Sequence, residues 1–583
     1  MQPTKFDISK LNGKLGRIRD WMILHHLPPK LLFFTLGILS TIWFLVRVIP
    51  KPSRATYPCM EVAAPFMSGF VSYLLAVGGI VALSRKLKRK INVRYASTFL
   101  LLTGVIVVMA ISPVDSLIAG LQTEDVYTGP GDGPNKPMGT AKGIYPGRVV
   151  WVWNPEATNE KFEHNDLATY NWFVNPENNN PKVIAKMFQD GLLKLTGKKT
   201  VAKSWDALFN FFNAKKLGKE KSYTKGEKIF IKINQGQSRW LLTQEDKDKG
   251  YAIPRVVKDD ARGRTTKSLI PTETGPYLIL EMLRELVNEV GVDQADIAVG
   301  DPMCPIWAHN YDVWVKEFPN VKYIDKVSDK FGRTLIKITK DTLVYYSDKK
   351  TTDKLYDVVQ NADYMITSTC LKAHGAAGVS LTAKSNFGNI GRATENHLHY
   401  SHIANRREGQ PSNTGYRKYR VFVDLMGSKY LGQNNLLWVV EGLFGGGSDE
   451  TKGPVKYFMP PFNNDWSNSI FMSLDPVAIE SVGYDFLREE WNGKRKHDAV
   501  NAEWEGIANV VGVDDYMHQA ADRANWPEGI IYDPDKTGTP MPVLGVHEHW
   551  NNPIDKQYSR NLGTGDGIEL VSIPADLVKG KKK

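Results

Sequence analysis

The sequence predicts an α/β protein: three N-terminal transmembrane helices, then a large, mostly parallel, doubly wound α/β domain with insertions. Three observations carry that expectation. Residues 31–49, 62–83 and 95–111 are long apolar runs, each close to the roughly 20 helical residues that cross a bilayer core of about 30 Å. A dense basic loop, 84–94 (SRKLKRKINVR), separates the second run from the third. Beyond residue 147, short runs rich in Val and Ile alternate with longer helical segments, the pattern of strands and crossover helices in a parallel sheet.

The flanks of the apolar runs set the expected topology. Basic residues in short loops beside membrane spans stay on the cytoplasmic side. The N-terminal tail carries Lys5, Lys10, Lys14, Arg17, Arg19 and Lys30, and the second loop carries Arg85, Lys86, Lys88, Arg89, Lys90 and Arg94. This predicts a multi-pass protein of the bacterial inner membrane, with its N-terminus cytoplasmic and its large C-terminal domain periplasmic. Residues 1–122 are then the membrane domain, 123–147 a Gly/Pro-rich linker and 148–583 the extracytoplasmic α/β domain. The lipid bilayer and neighbouring membrane proteins are the expected partners. Residues 1–94 hold fifteen Lys and Arg against three acids, a local +12; the whole chain is +11, which leaves −1 for the remainder. A nucleic-acid binder concentrates basic residues on its folded domain, so nucleic acid is excluded as a partner.

Strands are expected at 148–153 (RVVWVW), 228–234 (KIFIKIN), 296–300 (DIAVG), 364–368 (YMITS), 420–425 (RVFVDL) and 436–441 (LLWVVE). Several are short and continuously apolar, as strands covered on both faces are. Helices are expected at 182–195, 204–214, 277–290, 476–490 and 514–524. Pro476 suits a first helical turn, with Asp475 as its N-cap.

In open α/β sheets, ligands bind beyond the carboxyl ends of the strands. Asn234 and Glu441 close two predicted strands, Lys372 and His374 follow a third, and Asp424 lies in a fourth. The segment 371–392 (LKAHGAAGVSLTAKSNFGNIGR) is the densest candidate, with His374, Lys384, Asn386 and Arg392 among glycines that let a ligand approach the backbone. Lys384 and Arg392 suit a carboxylate or phosphate. His374 suits a general base or metal ligand, and Asp424, Glu441 and Asp475 suit acid–base or metal-ligating carboxylates. The competing reading is a tightly packed polar loop.

His397, His399 and His402 lie in HLHYSH, and His547 and His549 in HEHW. Residues i and i+2 share one face of a strand, so His397 with His399, or His547 with His549, is a candidate chelate for a divalent metal. The commoner alternative is a hydrogen-bonded structural histidine. Cys59, Cys304 and Cys370 form no C-x-x-C, so no iron–sulfur cluster is expected. A Cys304–Cys370 disulfide stays open.

Six stretches carry a family resemblance: GIYPGRVVWVWNPEAT (143–158), GEKIFIKIN (226–234), LKAHGAAGVSLTAKSNFG (371–388), VDLMGSKYLG (423–432), MSLDPVAIESVGYDFL (472–487) and LGVHEHWNNPIDKQYSRNLG (544–563). Through them the chain resembles the domain-of-unknown-function 362 family, in a membrane-anchored, bacterial (Bacteroidetes-like) subtype. The resemblance implies no established activity. Some members hold ferredoxin-like iron–sulfur modules, for which this chain lacks the cysteines. Two functions follow as expectations. One is an enzyme acting on a small anionic or polar substrate, with metal assistance. The other is a non-catalytic binding or scaffold subunit of an inner-membrane complex.

Overall fold

The computed structural model describes residues 133–163, 173–235, 272–326, 328–391, 395–403, 413–447, 453–492, 494, 495, 497 and 507–578, with five positions between 38 and 46. The chain divides into two compact units, Met1–Val126 and Tyr127–Lys583, and the elements below belong to the second.

Nine strands form its central sheet: β1 Arg148–Trp153, β2 Ile229–Lys232, β3 Ile297–Gly300, β4 Lys322–Asp325, β5 Thr334–Leu335, β6 Tyr364–Cys370, β7 Asn435–Gly442, β8 Ser469–Ser473 and β9 Glu569–Ile573. Their order is β9-β1-β8-β7-β6-β2-β3-β4-β5. From β7 to β5 every pairing is parallel. β8 runs antiparallel to both β7 and β1, and β9 lies parallel to β1.

Successive residues of each strand feed two cores, as the period-2 geometry of a strand requires. Val149, Trp151, Phe230, Met365, Trp438, Val440 and Phe471 join one apolar cluster. Val150, Val152, Ile229, Ile231, Ile366, Val439 and Met472 join the other. Helices α1 Pro181–Thr196, α2 Val201–Leu217, α3 Pro276–Arg284 and α4 Ala308–Trp314 contribute to the second cluster. Helices α5 Val421–Gly427, α6 Pro476–Glu490 and α7 Asp515–Ala521 contribute to the first. The result is three layers, helices on both faces of one sheet. Local signals set the helix ends. Asn180 accepts from Val183 N ahead of Pro181, and Gly197 closes α1 at φ 69°, the left-handed conformation a glycine adopts without strain.

The structure corrects the expected fold in three places. The sheet is mixed and not doubly wound throughout: six of its eight pairings are parallel, but β8 runs antiparallel to both of its neighbours. A parallel return from β7 needs a crossover, usually a helix; the described residues between β7 and β8 hold no helix, and β8 comes back antiparallel. The segment 420–425, expected as a strand, is the start of α5, every residue of which is buried. A short, mostly apolar run does not distinguish a buried strand from a buried helix.

The third correction concerns the membrane. No helix among the described residues is long and apolar enough to cross one. The longest helices, α1 and α2, have 16 and 17 residues and carry lysines along their length, short of the roughly 20 apolar residues a span requires. The three transmembrane helices and the multi-pass inner-membrane placement are therefore not supported. Of the predicted spans, 62–83 and 95–111 lie outside the described residues, as does all of 31–49 except five positions.

Candidate functional site

Four adjacent parallel strands, β7, β6, β2 and β3, end on one edge of the sheet. Their carboxyl ends deliver Glu441, Lys372, Lys232, Asn234 and Asp301 to that edge. A cleft of about 30 Å³ opens there, lined by Lys232, Asp301, Lys372, His374, Lys384 and Ser385, with Asn234 and Phe387 beside them.

Lys232 closes β2 as an apolar strand would, with its side chain 1% exposed, and pairs with Asp301 at 3.2 Å. Its ammonium donates to Ile233 O at 2.6 Å and to Ser385 Oγ at 3.3 Å. Burial lowers its pKa, against the opposing pull of Asp301. Asp301 is itself fixed by the N–H groups of Gln235 and Met303. Gly388 must lack a side chain here: a Cβ would stand 2.5 Å from Asp301 Oδ1 and 2.9 Å from Lys232 Cε.

Lys372 donates to Asn234 Oδ1 at 3.0 Å and to Thr272 O. His374 Nδ1 accepts from Ala376 N and Ala377 N at 3.0 and 3.1 Å. An acceptor at Nδ1 puts the proton of neutral imidazole on Nε2. Lys384 Nζ sits 4.1 Å from the centre of the Phe387 ring, a cation–π placement.

The sequence therefore named four residues that meet in one cleft: Asn234, Lys372, His374 and Lys384. It missed Lys232, Asp301 and Ser385. The readable signal for Lys232 was a lysine alternating with isoleucines in KIFIKIN, a charge that an apolar strand does not tolerate without a partner.

The other expected site residues do not line the cleft. Glu441 takes Gly275 N at 3.2 Å, and burial pushes its carboxyl up to about 7. Asp424, on α5, accepts from Ser347 N at 2.9 Å and Tyr419 OH at 2.6 Å; burial raises it to about 7. Asp475 caps α6, accepting from Val477, Ala478 and Lys142 N–H groups at 3.0, 2.9 and 2.8 Å. Asn386 is buried and accepts from Asn389 Nδ2. Arg392 lies outside the described residues. Cys304 and Cys370 are not joined by a disulfide, and burial pushes the Cys370 thiol up to about 12, far from a nucleophile's range.

The two predicted histidine pairs fare differently: His397 and His399 turn to different partners, while the His547 and His549 rings stay 4.8 Å apart. His397 Nε2 lies 2.6 Å from Asp353 Oδ2, and His399 packs edge-on to His402 at 4.5 Å between ring centres. Among the described residues, the group that could hold a metal is Asp514, His518 and His547, whose ligand atoms all lie within 4.8 Å of one another. It takes one of the four predicted metal residues. His549 stands beside it, with Nε2 3.5 Å from Asp514 Oδ2. Burial works to raise the Asp514 carboxyl, but His518 and His549 outweigh it and hold it well below the usual range. The missed signal was Asp514 and His518 at i and i+4, one face of a helical turn.

Residues 270–485 match the family model described as "Domain of unknown function (DUF362)". No curated protein and no solved structure matches the chain.

Proposed function

Taking as premise that this chain belongs to the DUF362 family, matched over residues 270–485, we propose that it binds the anionic end of a small molecule at the strand-end cleft. One observation carries this reading: three lysines and one histidine converge on a cleft whose lining, among the described residues, includes one carboxylate, Asp301. Lys232 is neutralised by that carboxylate. Lys372 and Lys384 are the other two lysines that line the cleft. A cleft of about 30 Å³ has room for a water-sized group or two, so it receives a carboxylate or phosphoryl head and leaves the rest of the ligand outside. His374, protonated on Nε2 when neutral, is the acid–base group at hand for chemistry on that ligand.

A thermal-shift screen of phosphate, phosphate monoesters and small carboxylates tests this. At least one anion should raise the melting temperature of the wild type, and Lys384→Ala should abolish the shift while melting within a few degrees of wild type. If no anion stabilises the protein, or if Lys384→Ala responds as wild type does, the reading fails.

A further inference from the structure

We propose that Asp514, His518 and His547 form a buried site for one divalent transition-metal ion of the zinc class, with the fourth position left to water. The donor set is two imidazoles and a carboxylate, which suits zinc and its neighbours in the first transition row. The three residues come from two distant segments, α7 with its N-cap and the short strand Val546–His547. They are 3%, 1% and 0% exposed, so an ion held there is shielded from bulk solvent.

The geometry is close to what an ion needs. Bonds of about 2.1 Å in a tetrahedron place ligand atoms roughly 3.4 Å apart. His518 Nε2 lies 3.9 Å from Asp514 Oδ2, and His549 Nε2 lies 3.5 Å from the same oxygen. The other carboxylate oxygen, Asp514 Oδ1, is buried with no hydrogen-bond partner among the described residues. Such an oxygen in a polar cluster calls for an occupant.

The surroundings have the form of an outer shell. Ser481 Oγ meets His547 Nδ1 at 2.8 Å, which turns the opposite ring nitrogen to the group. Asp485 Oδ1 meets His549 Nδ1 at 2.7 Å, and Asp485 is itself held by Trp550 N and Tyr558 OH. Carboxylate or hydroxyl partners on the far nitrogen orient metal-binding histidines in this way. Arg488, with Nη1 3.4 Å from His549 Nε2, opposes a second cation. Against it stand two carboxylates, Asp485 and Asp514, so with neutral imidazoles the local charge is still negative.

The experiment uses the full chain, dialysed against chelator and titrated with cobalt(II), then with zinc. Expected are uptake of one equivalent, the intense visible absorption of four-coordinate cobalt(II), its bleaching by zinc, and a higher melting temperature in the loaded protein. His518→Ala and His547→Ala should lose the absorption. Ser481→Ala, which touches no ion, should keep the fold and bind zinc about tenfold more weakly. The proposal is overturned if folded wild type takes up neither metal, which makes the cluster an ion-pair network with Arg488, or if His518→Ala binds as wild type does.

Discussion

A single buried carboxyl shows how a residue's surroundings become a property that can be measured. Burial raises Glu441 from 4.5 to about 7, with the Gly275 N–H opposing. The folded carboxyl therefore holds its proton where the unfolded one has lost it. The associated stability is fully present below about pH 4.5 and is lost as pH rises through about 7. Asp424, raised to about 7, and Glu285, raised to about 8, act in the same direction. Urea unfolding should thus give a more stable protein at pH 5 than at pH 8. Glu441→Gln should exceed wild type at pH 8 by on the order of 2 kcal/mol, with the gap closing by pH 5. Equal differences at the two pH values would show that this carboxyl does not titrate as described.

Caps and registers decide the elements. Asp475 takes two N–H groups at the head of α6, Val477 and Ala478, and also accepts from Lys142 N at 2.8 Å and Val546 N at 3.2 Å, so one side chain ties the helix to a loop and a short strand. Asp475→Ala leaves these donors buried and unmet. It should cost about 2–4 kcal/mol, more than the ~1 kcal/mol of an ordinary cap, read from the shift in urea midpoint; a loss below ~1 kcal/mol would reduce Asp475 to a simple cap. The cap and α6 were legible because Asp-Pro ahead of an apolar period is a local signal, and β1 was legible because Arg148 is followed by five apolar residues, VVWVW. The helical state of VFVDL was not, since its burial on all sides depends on what packs around it. Nor were β8 (SIFMS) and β9 (ELVSI), short strands whose identity rests on partners far along the chain. The cleft was half legible for the same reason. His374 and Lys384 stand in a conspicuous polar segment, whereas the Lys232–Asp301 pair joins residues from separate strands.

At the scale of the molecule, the sheet separates two apolar clusters, and every inner strand is covered on both faces and both edges. β1 depends on β9 for one of those edges. Their five-residue parallel register runs from Arg148 opposite Glu569 to Val152 opposite Ile573, with an ion pair between Arg148 and Glu569 at 2.8 Å. Deleting 569–583 leaves an apolar strand with an open row of backbone donors and acceptors, a template for pairing between chains. The shortened protein should form oligomers visible by light scattering at concentrations where the full chain is monodisperse. A monodisperse truncation with an unchanged melting temperature would show that the edge is not exposed.

The distance between those two strands also bears on how the chain is made. Arg148 and its partner Glu569 are 421 positions apart, and at roughly 5–20 residues per second a ribosome needs about 20–80 s to cover that interval. For the first three quarters of it, until β8 at 469–473 is made, neither strand neighbour of β1 exists. The nascent protein's exposure to sticking is thus set by translation speed, and slow synthesis lengthens the period in which a chaperone must cover RVVWVW.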